Sequence, residues 1–154
     1  MKKSFSSAAL VSFFMLASSQ VMASQDYTVY FKNASNQTKY VKQLNSQCMH
    51  SPKNGSTYTV PPQGEVKVPM TDSNNAAGAC TNGVKDINWA VDDNQSFSVA
   101  NLTFKHQKIS GTWYTKVSTS FGLPATITCN NRDCSANGSP GVSGQPSPIV
   151  ITFH

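Results

Sequence analysis

The chain has 154 residues, with 12 Lys and Arg against 7 Asp and Glu and a formal charge of +5. That length suits one domain with a single core, and nothing in the composition calls for a second. The basic excess is small and Arg132 is the only arginine, which argues against a nucleic-acid partner, because guanidinium forks do much of the base and phosphate reading.

The first 23 residues have the layout of a cleavable secretory signal. Lys2 and Lys3 lead an apolar run from Ala8 to Ala17, polar Ser18-Ser19-Gln20 follow, and Val21-Met22-Ala23 supplies the cleavage positions. The run is shorter than the roughly 20 apolar residues of a membrane span, and no later segment is apolar enough to be one. Removing 23 of 154 residues would leave 131, and losing Lys2 and Lys3 takes the charge from +5 to +3. The expected product, residues 24–154, is a secreted or periplasmic domain without a transmembrane segment.

Along that domain apolar and polar residues alternate in short runs divided by Gly, Asn, Pro and Ser, the pattern of an antiparallel β protein. Tyr27, Val29 and Phe31 share one face of a first strand, Asn33-Ala34-Ser35-Asn36 turns the chain, and Tyr40 to Leu44 makes a second. Ser56 to Val60 reads as a third, followed by the turn Pro61-Pro62-Gln63-Gly64. Val66, Val68 and Met70 alternate next, with Pro69 placing this strand at an edge because proline cannot donate to a ladder.

A long polar loop from Thr71 to Lys85 carries Cys80. Ile87, Trp89 and Val91 then give the sharpest alternation, with Trp89 as a core anchor. Phe97 and Val99 keep odd parity whereas Leu102 and Phe104 are even, which predicts a bulge near Ala100-Asn101 or a change of sheet. Thr112 to Ser118, Ala125 to Cys129 and Ile149 to Phe153 complete the strands, the last expected in a central position. Ser135 to Ser147 reads as a long mobile loop. The expected fold is all-β, a single antiparallel sandwich of eight or nine short strands.

Four cysteines in an exported chain favour two disulfides. The short Asn130-Asn131-Arg132-Asp133 turn favours Cys129 with Cys134, leaving Cys48 with Cys80. A zinc site using these thiols and His50 fits an exported chain less well.

Catalytic motifs are scarce. The histidines are His50, His106 and His154; no nucleophile elbow, His-Glu-x-x-His pair or phosphate-cradling glycine loop occurs. Asp92-Asp93-Asn94 could gather calcium ligands but lacks the glycine and distal glutamate of the familiar loop, and reads better as a turn. No metal and no cofactor is expected. Glu65 reads as a solvated cross-strand partner, and the asparagines of the Asn-x-Ser/Thr triplets (Asn33, Asn36, Asn54, Asn101, Asn137) as turn and surface residues.

The pair Trp113-Tyr114 is more informative. Neighbours on a strand point to opposite faces, so both rings cannot enter one core. An outward ring suits a ligand surface, and Lys105, His106, Lys108 and Lys116 would give it a basic rim. Arg132, held in the Cys129 to Cys134 loop, is a further candidate contact.

From Tyr27 to about Val91 the layout runs through an opening strand, the Asn33-Ala34-Ser35 turn, a strand into Val60-Pro61-Pro62-Gln63-Gly64, and a Gly-containing loop before Asp86-Ile87-Asn88-Trp89. It resembles the secreted sandwiches of aegerolysins and actinoporin-like lysins. The resemblance implies a two-layer β fold and a membrane-active role. No amphipathic helix precedes the first strand and no tryptophan-rich signature is placed, so it carries over no functional residue.

The sequence therefore predicts a non-enzymatic secreted binding protein of bacterial type, a virulence or colonisation factor engaging a glycan, lipid surface or protein. The alternatives are a membrane-active toxin and an inhibitor of an extracellular enzyme that presents Arg132.

Overall fold

The computed structural model describes residues 24–94, 100–120, 122–135 and 140–154. The stretch 1–23 expected to be an export signal, Phe97, Val99, and the stretch 136–139 with Asn137 lie outside them. The strands are β1 (Asp26–Asn33), β2 (Lys39–Gln47), β3 (Met49–Ser51), β4 (Thr57–Val60), β5 (Glu65–Asp72), β6 (Lys85–Asp92), β7 (Ala100–Ile109), β8 (Thr112–Thr119), β9 (Ala125–Cys129), β10 (Arg132–Asp133), β11 (Val142–Ser143) and β12 (Ile149–Phe153).

They form two six-stranded sheets, one ordered β10-β9-β12-β1-β5-β3 and the other β11-β8-β7-β6-β2-β4. The all-β expectation holds with two corrections. The described residues form twelve strands instead of eight or nine, because β3, β10 and β11 are only two or three residues long and too short to show a period. The first sheet is also mixed: β12 lies centrally between β9 and β1 but runs parallel to β1. Part of the segment read as a mobile loop is ordered, since Val142 and Ser143 pair with Thr115 and Tyr114 of β8.

From β1 to β6 the chain changes sheet at every connection. The turns after β1 and β4 are thus corners between layers, not hairpins. At one corner the buried Asn33 amide donates to the carbonyls of Gln37, Val60 and Pro61, while its Oδ1 accepts from the Ser35 backbone N–H and hydroxyl. The Pro61 to Gly64 turn closes with Gly64 N–H donating to Pro61 O at 3.1 Å. A Cβ on Gly64 would meet the Pro61 ring at 2.6 Å, so the turn requires glycine.

The chain stays within one sheet only through β6-β7-β8 and through the β9-β10 hairpin. The predicted parity change between Val99 and Leu102 begins outside the described residues, but β6 and β7 lie in the same sheet. Ile87, Trp89 and Val91 pair with Phe104, Leu102 and Ala100, so an antiparallel register joins odd residues to even ones. Pro69 fits its place equally simply: β3 covers only Thr71 and Asp72, leaving that flank of β5 open at Pro69.

The core lies between the layers. Tyr27, Val29, Phe31, Val68, Met70, Ile127, Ile149, Ile151 and Phe153 from the first sheet meet Val41, Val60, Ile87, Trp89, Leu102, Phe104 and Val117 from the second. Phe31 packs edge-on to Trp89 at 5.6 Å and stacks on Phe153 at 6.1 Å. Burying side chains of this size stabilises by about 1.5–3 kcal/mol each. The disulfides are Cys48–Cys80 and Cys129–Cys134, the pairing that the loop lengths favour. Among the described residues no helix is long and apolar enough to cross a membrane.

Candidate ligand cleft at one end of the sandwich

Inner-face parity carries polar residues beyond the apolar core at one end. Lys85 shares the face of Ile87 and Trp89, His106 that of Leu102 and Phe104, and Thr115 that of Val117; in the register Lys85 pairs with His106 and His106 with Thr115. All three are buried, as is Asp72 at the end of β5. Asp72, Lys85 and His106 form the floor of a cleft of about 90 Å³, with Thr115 bonded to His106.

The floor is held by specific bonds. Asp72 accepts from the Gln25 backbone N–H at 2.8 Å and from the Tyr27 hydroxyl at 3.3 Å. Burial, then the Asp72 charge and hydrogen bond, push the Tyr27 hydroxyl far above the ordinary tyrosine pKa. The Lys85 ammonium donates to Ser73 O at 3.0 Å and Cys80 O at 2.7 Å and lies 5.2 Å from the Trp113 ring centre. Burial lowers its pKa, with the Asp72 charge acting against the shift. Two carbonyls and a ring face stabilise the cation there, the ring contact by about 1–2 kcal/mol where water is excluded.

His106 stacks flat on Trp113, ring centres 4.6 Å apart and planes 5° from parallel. Its Nδ1 is 2.7 Å from Thr115 Oγ1, and that hydroxyl donates its one hydrogen to Gly144 O at 3.2 Å. Nδ1 is therefore the donor to Thr115, which fixes the tautomer and leaves Nε2 as an acceptor. Burial and the nearby Lys85 cation push the imidazole down to about 4, so it is neutral at physiological pH. The Thr115 hydrogen is committed to the Gly144 carbonyl.

Three segments wall the cleft. The β7–β8 hairpin brings Lys108 and the half-buried Trp113; the 73–84 loop brings Asn74, Thr81 and Asn82; the turn after β11 brings Gln145. The loop is held by Cys48–Cys80, by Lys85 and by Ser73 N–H donating to Cys48 O at 2.8 Å. Lys108 reaches Asn82 Oδ1 at 3.4 Å. Gly141 lets the last segment lie against β8, where a Cβ would fall on the Thr115 carbonyl.

The predicted site residues divide accordingly. Trp113, His106 and Lys108 come together. His106, however, is buried behind the indole and neutral, so it forms part of the floor and not of a basic rim. Tyr114, Lys105 and Lys116 point to the opposite face of the same sheet, where Lys105 pairs with Lys116 and Tyr114 with Gln107. Arg132 lies exposed on β10, in the other sheet. Lys85, Asp72, Tyr27, Gln25, Asn74, Thr81, Asn82 and Gln145 were not foreseen. For Lys85 the available signal was its odd parity with Ile87, Trp89 and Val91.

A wider, shallower hollow of about 450 Å³ lies over the Asn33 corner. Its groups are committed internally: Lys32 pairs with Glu65 at 3.4 Å, and the Gln63 amide donates to Ala34 O and Ser35 O. Asp92 accepts from the Asp93 and Asn94 backbone N–H groups and Asp93 pairs with Lys39 at 2.6 Å, the arrangement of a capped turn. Among the described residues no group of three or more His, Cys, Asp or Glu side chains is placed to hold a metal ion. The chain matches no protein-family model and no curated protein.

Proposed function

We propose that the chain is a non-enzymatic secreted binding protein of bacterial type, a colonisation or virulence factor that engages a host or environmental surface through the cleft beside Trp113. The observation that supports this most directly is a half-buried indole fixed from behind by His106 and Lys85 and surrounded by hydrogen-bonding side chains. Rigid aromatic surface beside a few polar groups is the usual make-up of a small-ligand site. Two disulfides are compatible with an oxidising compartment.

The test is a fragment screen on the ¹⁵N-labelled exported protein. Shifts gathered on the Trp113 indole N–H, Gln145 and Asn82 support the assignment. Hits that cluster elsewhere, or no hits at all, overturn it.

A second reading, inhibition of an extracellular enzyme, has one observation in its favour. Arg132 is exposed on a hairpin whose turn, Asn130-Asn131, is left-handed at both residues and whose ends are joined by Cys129–Cys134. If it is correct, Arg132→Ala abolishes inhibition of a protease panel by the exported protein. The membrane-active role implied by the likeness to aegerolysins and actinoporin-like lysins predicts dye release from vesicles; intact vesicles over several lipid compositions count against it.

A further inference from the structure

We propose that the ligand of this cleft is a saccharide, engaged through the hydroxyls of one ring at a glycan terminus. The inference rests on the cleft being the ligand site and assigns its ligand class. Four of its ten lining residues, Gln25, Asn74, Asn82 and Gln145, end in carboxamides. A carboxamide carries two donors and an acceptor in one plane, and each sugar hydroxyl is also both donor and acceptor. Asn82 Oδ1 already meets Lys108, and the Gln25 and Gln145 amides give the wall uncharged groups that suit vicinal hydroxyls.

Two further features point the same way. Gln25 lines the cleft and its buried Oε1 has no hydrogen-bond partner, so a rotation of the side chain that brought this acceptor to a ligand hydroxyl would relieve an isolation that is unfavourable. Trp113 is only half-buried although His106 stacks on its ring and the Lys85 cation lies over it, and the indole surface left exposed is apolar and suits the C–H groups of a sugar ring.

The charges do not suit an anion as the principal ligand. The Lys85 cation is engaged by Ser73 O, Cys80 O and the indole, and Asp72 contributes a carboxylate to the same wall. Lys108 remains at the rim beside Asn82, where it would meet an acidic substituent on the sugar. A volume of about 90 Å³ admits one edge of a sugar ring, well below the roughly 300 Å³ of a site that encloses a drug-sized ligand. Affinity for one terminus is therefore weak and dense glycan display strengthens it.

The exported protein is applied to an array of neutral and acidic glycans, and free oligosaccharides from the hits are titrated by tryptophan fluorescence. Trp89 is fully buried, so a ligand-dependent change reports Trp113. Inorganic phosphate and phosphatidylserine vesicles are titrated in parallel. Hits sharing a terminal sugar are expected, with affinity reduced tenfold or more in Gln145→Ala and Trp113→Ala and unchanged in Tyr114→Ala. Gln145 is exposed, so its variant keeps the test decisive even if loss of the indole unfolds the end of the sandwich.

A blank array with phosphate or vesicle binding that depends on Gln145 overturns the saccharide assignment and leaves the cleft standing. Glycan binding indifferent to Gln145 and Trp113 overturns both, as does a blank array with no binding of either control.

Discussion

The His106 imidazole lies against the Trp113 indole at 4.6 Å, with its Nδ1 hydrogen directed to Thr115. Burial, and then the nearby Lys85 cation, disfavour a second proton, and the imidazole is pushed down to about 4 from the ordinary 6.5. Between those values the unfolded chain binds a proton that the folded chain does not, so stability falls as pH drops through the window and levels off below about pH 4. The full loss is on the order of 3 kcal/mol. Asp86, whose carboxyl is raised by burial against the pull of Lys105, acts in the opposite sense at the acid end. Urea midpoints at pH 7, 5.5 and 4 should therefore decline in the parent and stay nearly level from pH 7 to 5.5 in His106→Phe. An equal decline in that variant would assign it to another group.

Lys85 ties the 73–84 loop to β6 through two carbonyls. In Lys85→Met the aliphatic stem remains but both acceptors lose a buried charged donor, a cost of about 2–4 kcal/mol. The loop should become cleavable by protease at concentrations that leave the parent intact. Parent-like melting together with parent-like protease resistance would show that the disulfide alone orders the loop.

Most of the layer structure was legible because alternation reports which residues face a core, and Tyr27, Val29, Phe31, Ile87, Trp89 and Val91 all obey it. The same rule reaches the site: Trp113 has the parity of buried Val117 and Tyr114 does not, which assigns the inward ring. Lys85 and His106 were hidden by their type, since a charged or titratable side chain is read as surface until a partner is known. Their partners, the Ser73 and Cys80 carbonyls for Lys85 and Thr115 for His106, come from other strands and loops. The parallel pairing of β12 with β1 joins the two ends of the domain, and no local pattern encodes it.

The two disulfides should differ in weight. Cys48–Cys80 spans 32 positions and Cys129–Cys134 spans 5. Loop-closure entropy puts removal of the first at about 3–4 kcal/mol and of the second at about 2 kcal/mol. The Cys48→Ser/Cys80→Ser pair should also free the segment that carries Asn74, Thr81 and Asn82, lowering ligand affinity as well as melting temperature. The Cys129→Ser/Cys134→Ser pair should lower melting temperature and leave the cleft intact. Calorimetry and the fragment screen on both variants check this; equal effects on binding would detach the cleft from the Cys48–Cys80 loop.

Asn33 joins the layers at the opposite corner, where one amide serves the carbonyls of Gln37, Val60 and Pro61 and one oxygen accepts from Ser35. Asn33→Ala leaves buried carbonyls without a donor and should cost about 2–3 kcal/mol. Asn33→Asp has nearly the same shape but turns a carboxylate toward those carbonyls, so repulsion and desolvation add to the lost bonds and the cost should exceed that of alanine. The order of denaturation midpoints, parent above alanine above aspartate, checks that the corner is held by donation from this amide. If aspartate matched the parent, the corner would depend on side-chain shape and on the Ser35 contacts alone. Because β4 enters β5 through the same corner, the β1–β5 pairing should weaken with it, visible as faster amide exchange at Val66 and Val68 while Trp113 at the far end keeps its parent spectrum.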